Sequence, residues 1–317
     1  MKRSNSSVGV SLTGGLGNQL FQVAAALAMS EGERVTLISS YGKPRFSRNN
    51  EAEIYSLISA EDWFERDDEV SSWLPAKCVG FILRMGVQPK IWEKGLVAFL
   101  ASKIANLILS ISRHSKIRIL AGKGVGYFAL PEKKYFTLLS GYFQSYRWAS
   151  LDDVYKKLFH LHPKHPGSDL KYYESLTSDC KPLVIHIRLG DYLSERDFGI
   201  PSVEYYKSAV SRISTEVEFD EIWVFSDTLT KAKEILRFDG RIKVRWIGEL
   251  DGSAANTFEA MRLGAGYIIG NSTFSWWAAF LRFDTKAPVI APKPWFRGME
   301  EPFELIPENW TRIDSNY

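Results

Sequence analysis

KPLVIHIRLGDY, residues 181–192, opens the most regular part of the chain. As a β-strand it turns Val184, His186 and Arg188 to one face and Ile185, Ile187 and Leu189 to the other. Aliphatic residues on both faces mark a buried parallel strand. A histidine and an arginine near its end, followed at once by Gly190-Asp191, break that pattern. Downstream, strand-like EIWVFSD (221–227), KVRWIG (243–248), YIIGNS (267–272) and APVIAP (287–292) alternate with helix-like segments. The latter are SVEYYKSAVSRIS (202–214), TLTKAKEILRF (228–238), ANTFEAMRLGA (255–265) and TFSWWAAFLR (273–282). Such alternation means an α/β, doubly wound parallel sheet, whose ligands bind beyond the carboxyl ends of the strands.

The N-terminal part opens in the same way. Val8, Val10 and Leu12 alternate as a strand, GGLGNQ (14–19) interrupts, LFQVAAALAMSEGE (20–33) reads as a helix starting at Asn18, and RVTLISS (34–40) as a second strand. Residues 45–140 give no regular pattern. LDDVYKKLFHLHP (151–163) reads as a helix stopped by Pro163, and PKHPGSD (163–169) as a linker. Two domains follow, 1–179 and 180–317, which suits a chain of 317 residues.

Composition excludes several classes. A hydrophobic content of 45% with 24% charged residues describes a globular chain, and a net charge of +3 gives no reason to expect nucleic acid. Cys78 and Cys180 form neither a disulfide framework nor a metal spacing, which points to a reducing compartment. The N-terminus lacks the apolar run of a signal peptide. The apolar segment 95–112 has Lys103 and Asn106 in its middle and falls short of a spanning helix. Charge is unevenly placed: Lys77 to Lys123 holds nine basic residues and one acidic, a net of +8, leaving −5 for the rest. Inside that window Val97, Leu100, Ile104, Leu107, Ile108 and Ile111 keep helical spacing. Two readings stay open, a basic amphipathic helix on an anionic membrane surface or a core helix with solvated lysines.

Four strand ends carry polar residues: GGLGNQ, HIRLGD, FSD ending at Asp227, and GNSTFS at 270–275. The glycines of the first permit a tight turn and close approach of a ligand to backbone, with free helix N–H groups for an anion. As a dinucleotide fingerprint it fails, lacking the third glycine and an acidic residue after the next strand. Ser272, Thr273 and Ser275 around a helix start suit either an anion seat or simple N-capping. Arg188 offers a planar fork for a diphosphate. Asp191 is its ion-pair partner or a general base, and Asp227 accepts from a base edge or caps the next helix. No Asp-x-Asp occurs, so a sugar-nucleotide transferase of this kind needs protein cations to stabilise its leaving diphosphate.

At these residues the sequence resembles the α-1,2-fucosyltransferases of glycosyltransferase family 11. GGLGNQLFQ (14–22), LSGYFQSYRW (139–148), HIRLGDY (186–192), VEYYKSA (203–209), FSD (225–227), GNSTFSWWAAFL (270–281) and PVIAPKPWF (288–296) carry the likeness in the family's order. The resemblance implies a GT-B-type fold of two Rossmann-like domains facing a cleft, the second holding the donor. It implies metal-independent, inverting transfer of fucose from GDP-fucose to the 2-hydroxyl of a galactose in an oligosaccharide. No cofactor is implied, since GDP-fucose is a substrate. The implied donor site is Gly15, Leu16, Gly17, Asn18, Gln19, His186, Arg188, Ser226, Asp227, Asn271, Ser272, Thr273, Phe274 and Ser275. The catalytic candidates are Arg188 and Asn18, together with Asp191, which stays either a base or the ion-pair partner of Arg188. Where the family has a second arginine after Arg188, this chain has Leu189, which faces away from Arg188 on a strand. Bacterial members of this kind build lipid-linked surface polysaccharide such as O-antigen in the cytoplasm, which implies a cytoplasmic enzyme; peripheral contact with the membrane through residues 77–123 belongs to the amphipathic-helix reading and stays open with it. The rival readings are another GDP-6-deoxysugar as donor, a catalytically silent sugar-binding protein, and a nucleotide-dependent dehydrogenase weakened by the glycine pattern.

Overall fold

The computed structural model of the chain describes residues 7–31, 33–38, 52–57, 63–66, 96–114, 117–121, 136–238, 240 and 242–317. It forms two compact units, Met1–Leu161 with Pro302–Leu305, and His162–Glu301 with Ile306–Tyr317.

The first unit runs β1 (Ser7–Ser11), α1 (Leu16–Ser30), β2 (Val35–Ile38), β3 (Phe64–Arg66), α2 (Leu96–His114), β4 (Ile117–Ala121), β5 (Phe136–Ser140), α3 (Tyr146–Ala149) and α4 (Asp152–Phe159). Its sheet has the order β3-β2-β1-β5-β4, with every pairing parallel. Leu20, Phe21, Val23, Ala24, Ala25 and Leu27 of α1 are fully buried. The run of alanines lets this helix lie close to the sheet. The strand order reverses between β1 and β5, so their carboxyl ends flank a crevice.

The second unit runs α5 (Ser168–Leu176), β6 (Pro182–Ile187), α6 (Val203–Ile213), β7 (Glu221–Ser226), α7 (Leu229–Ile235), β8 (Lys243–Ile247), α8 (Ala254–Met261), β9 (Gly266–Ile268), α9 (Thr273–Phe280), β10 (Val289–Lys293) and β11 (Thr311–Asp314). Its sheet is also all parallel, in the order β11-β10-β9-β6-β7-β8. Chain order reverses between β6 and β9, the arrangement of dinucleotide-binding sheets. Leu183, Ile185, Ile187 and Leu189 pack with Tyr205, Tyr206, Ala209 and Ile213 of α6 on one face. Trp223 of β7 meets Tyr173 of α5 at a ring separation of 5.0 Å on the other. Both faces of β6 are buried throughout, as its aliphatic composition requires.

These are the two parallel-sheet α/β domains that the sequence implied, with differences of detail. The second unit starts at His162, not at 180, because the segment read as a linker leads into helix α5. The carboxylate of Asp251 accepts from the backbone N–H groups of Asp169 (3.0 Å) and Leu170 (3.2 Å), tying that helix to this unit. Helix α1 begins at Leu16, two residues before the expected Asn18, and α4 ends at Phe159, four residues before Pro163. Of the basic window, Lys77, Arg84, Lys90, Lys94, Lys116 and Lys123 lie outside the described residues, as does Cys78. No described helix is long and apolar enough to cross a membrane.

Candidate active site

In the second unit the loops after β6, β7 and β9 converge where the strand order reverses. Arg188 leaves the end of β6 and its Nε lies 3.0 Å from Asp191 Oδ1 and 3.0 Å from Asp227 Oδ2. Burial works against the Arg188 charge, but the carboxylates of Asp227 and Asp191 outweigh it and raise its pKa above the ordinary value. Both carboxylates meet the guanidinium at Nε; among the described residues no hydrogen bond engages its Nη1 or Nη2. The fork is thus held from behind with its charge secured.

Asp227 does more than neutralise. Its Oδ1 accepts from Leu189 N (2.9 Å) and its Oδ2 from Gly190 N (3.1 Å), so it fixes the turn out of the strand. It does not cap α7, which corrects that reading of the sequence, and it stays exposed beside the turn. A Cβ on Gly190 would come within 2.6 Å of Asp227 Oδ2, so the turn requires glycine there. Ser226 accepts from Thr228 N at 3.1 Å and also belongs to the turn. Leu189 is fully buried in the core, on the side away from Arg188.

His186 is buried, and its Nδ1 has no hydrogen-bond partner. Its carbonyl accepts from Gly270 N at 3.0 Å and Tyr206 Oη at 3.2 Å, which sets the strand against the β9 loop. Burial lowers the imidazole pKa to about 4, with Asp227 opposing and Arg188 assisting, so the ring is neutral at physiological pH. The ring of half-buried Phe274 stands 6.3 Å away and also meets Phe258 at 5.8 Å.

The GNSTFS loop splits into two roles. Ser272 Oγ accepts from Phe274 N at 3.3 Å as an ordinary N-cap of α9, while Ser275 Oγ donates back to Ser272 O at 3.1 Å inside the first turn. Thr273 is half-buried beside them. Asn271 is turned the other way. Its Nδ2 donates to the carbonyls of Phe198 (2.9 Å) and Gly199 (3.1 Å), and its own carbonyl accepts from Tyr192 Oη (3.1 Å). It therefore clamps the loop that carries Asp191. Tyr192 is a site residue that the sequence did not single out; burial raises its phenol pKa, keeping it a hydrogen-bond donor.

The first unit gathers its residues at the end of β1 beside the end of β5. Gly14 has φ +76°, and a Cβ there would meet Asn18 Nδ2 at 2.6 Å. Gln144 Nε2 donates to Asn18 Oδ1 at 2.8 Å, so GGLGNQ and GYFQS, 126 residues apart, meet at one point. Gln22 Nε2 reaches the carbonyls of Thr13 (3.2 Å) and Gly141 (3.1 Å) and ties the same two strand ends. Gly15 and Asn18 are partly exposed, whereas Leu16, Gly17 and Gln19 are buried. Gln19 is consumed by Gly14 O (2.8 Å) and Ile54 N (2.8 Å). The sequence placed free N–H groups at a helix start at Asn18; the helix starts earlier, and the Leu16 N–H donates to Glu53 Oε2 at 2.7 Å. An internal carboxylate thus takes the favourable place at the helix N-terminus. Leu16 and Gln19 are scaffold in this structure. Gly14, Gln22, Glu53 and Gln144 are the members that the sequence reading passed over. Gly14, Gln22 and Gln144 lie in the GGLGNQLFQ and LSGYFQSYRW motifs, whereas Glu53 lies in none.

The sequence model described as glycosyl transferase family 11 matches residues 7–313. An O-antigen biosynthesis glycosyltransferase, WbnK, from Escherichia coli is 24% identical over 95% of this chain and 99% of its own. An alpha-1,2-colitosyltransferase from Escherichia coli is 29% identical over 160 residues, 48% of this chain and 54% of that protein. Among solved structures, the fucosyltransferase NodZ from Bradyrhizobium gives a TM-score of 0.46 at 12% identity, covering 87% of this chain and 93% of that one. POFUT1 in complex with GDP-fucose gives 0.48 at 11%, covering 92% and 99%. With the family pattern running through nearly its whole length, the chain belongs to glycosyl transferase family 11.

Proposed function

We propose that the protein is an inverting α-1,2-fucosyltransferase, which moves fucose from GDP-β-L-fucose to the 2-hydroxyl of a galactose in an oligosaccharide. The observation that carries this reading is Arg188 at the reversal point of the second sheet, held at Nε by two carboxylates. Departure of GDP places negative charge on the diphosphate, and a preorganised guanidinium fork offsets that charge without reorganising. Inversion requires the acceptor hydroxyl to attack from the face opposite the leaving group, losing its proton to a base. Asp191 is assigned to that step, on a loop that Asn271 and Tyr192 hold in place. The neutral His186 and Phe274 border the same crevice and suit an uncharged nucleobase. Asn18, its amide oriented by Gln144, is assigned to the diphosphate and sugar by family resemblance. The acceptor is proposed to be a lipid-linked O-antigen precursor, in line with the name of the relative WbnK.

A second reading is another GDP-6-deoxysugar as donor, which the relative named for colitose transfer supports. Product analysis separates the possibilities. Incubation with GDP-fucose and a panel of galactosides should add one deoxyhexose by mass, with nuclear Overhauser contacts that place it on the galactose 2-position. Faster turnover of a different GDP-6-deoxysugar would support the second reading. GDP binding without turnover of any donor would leave a silent sugar-binding protein.

A further inference from the structure

Helix α2 carries a feature that the transfer chemistry does not use. Leu100, Ile104, Leu107 and Ile111 are 50%, 46%, 60% and 62% exposed. Their spacing of four, three and four residues puts all of them within about 60° of arc on one side of a helix. Exposed apolar residues are ordinary when scattered singly; four in a row on one face form a patch. Lys103, Ser110 and Asn106 are exposed to one side of the stripe, and Ala105, on the other, is buried. For these four side chains the structure therefore rejects the core-helix reading.

We propose that this stripe is a docking surface for an anionic lipid bilayer, with α2 lying in the headgroup region parallel to the membrane. The stripe supplies the apolar contact, and the surrounding sequence supplies the charge, since Lys77 to Lys123 holds nine basic residues against one acidic. The same charge argues against a second copy of the chain as occupant. A second copy, with the same excess of positive charge in the sequence around α2, offers nothing to neutralise it, whereas a leaflet rich in acidic lipid does. The surface is independent of the donor and acceptor assigned above, though it would hold the enzyme where a lipid-linked acceptor lies.

The full-length protein should co-sediment with phosphatidylcholine vesicles that contain phosphatidylglycerol. It should not do so with phosphatidylcholine alone, and binding should weaken as salt screens the attraction. Leu107→Glu with Ile111→Glu should reduce binding on the order of tenfold or more. GDP affinity by calorimetry should stay at the wild-type value and show that the fold survives. Lys103→Glu, at an exposed position, should weaken vesicle binding by itself. No preference for acidic lipid, or binding unchanged in these variants, would overturn the proposal. So would a dimer seen by light scattering that the double variant dissociates while vesicles bind neither form.

Discussion

Asp191 and Asp227 share one guanidinium, yet the structure gives them unequal work. Asp227 also holds two backbone N–H groups, whereas Asp191 meets Arg188 through a single oxygen. Asn at this position removes the charge but keeps an oxygen to accept from Arg188 Nε, and the ion pair with Asp227 stays. Asp191→Asn should therefore keep GDP affinity near wild type while single-turnover rates fall by roughly 10²–10⁴-fold, the range of a lost general base. Calorimetry beside rapid-quench kinetics decides it, and a matching loss of GDP affinity would make Asp191 an orienting partner only. His186 offers a second check. An ordinary histidine titrates near 6.5, but this one is held to about 4. Between those values the unfolded chain binds the proton and the folded one does not, so acidification from 6.5 toward 4 costs stability. A nitrogen-detected NMR titration should find the His186 ring still neutral at pH 5.5. The sequence showed His186, Arg188 and Asp191 because charged residues at the end of an aliphatic strand stand out. It could not show that Asn271 and Ser272, neighbours in one motif, face different partners, since local spacing does not set side-chain direction in a loop.

Strands β7 and β8 carry, at the ends remote from the site, a cluster of a different kind. Glu221 accepts from Arg245, from Lys243 Nζ at 2.5 Å and from Trp223 Nε1 at 3.2 Å. The hydrogen bonds from Arg245 outweigh burial and, with those from Lys243 and Trp223, pull the carboxyl pKa down to about 2. A carboxylate with a depressed folded pKa adds stability above its unfolded value, near 4.5, and loses it as pH falls toward 2. Glu221→Gln should thus lower the melting temperature at pH 7 and flatten its decline between pH 4.5 and 2, as scanning calorimetry would record. Strands of this sheet were easy to read where they are apolar on both faces. β11, TRID at 311–314, was missed because it is a short edge strand of mixed polarity and partial exposure. Helix α5 was missed for another reason: no side chain of its own N-cap closes it, and the cap comes from Asp251, some eighty residues on. A cap supplied across the fold leaves no local signature.

The chain as a whole separates its charge, with an excess of +8 between Lys77 and Lys123 and −5 elsewhere. It contains no Asp-x-Asp pair, so the cation proposed for the leaving diphosphate is its own arginine. Transfer should then persist in excess EDTA without added Mg²⁺ or Mn²⁺; restoration by metal after loss would require a different account of Arg188. The second sheet was legible from periodicity and turn chemistry, but of the first only β1 and β2 were, since β3, β4 and β5 fall in the irregular stretch 45–140. The division at 161/162 was not legible either, because Pro163, Pro166 and Gly167 look like a linker until α5 is seen to pack behind them. The course of the chain has one more consequence. Pro302–Leu305 belongs to the first unit, while Thr311–Asp314 closes the edge of the second sheet. A ribosome making this protein delivers the last pieces of both halves within a few codons of each other. Nascent chains paused after residue 301 should therefore lack a piece of each half, and should be cut by protease faster than chains released after residue 317.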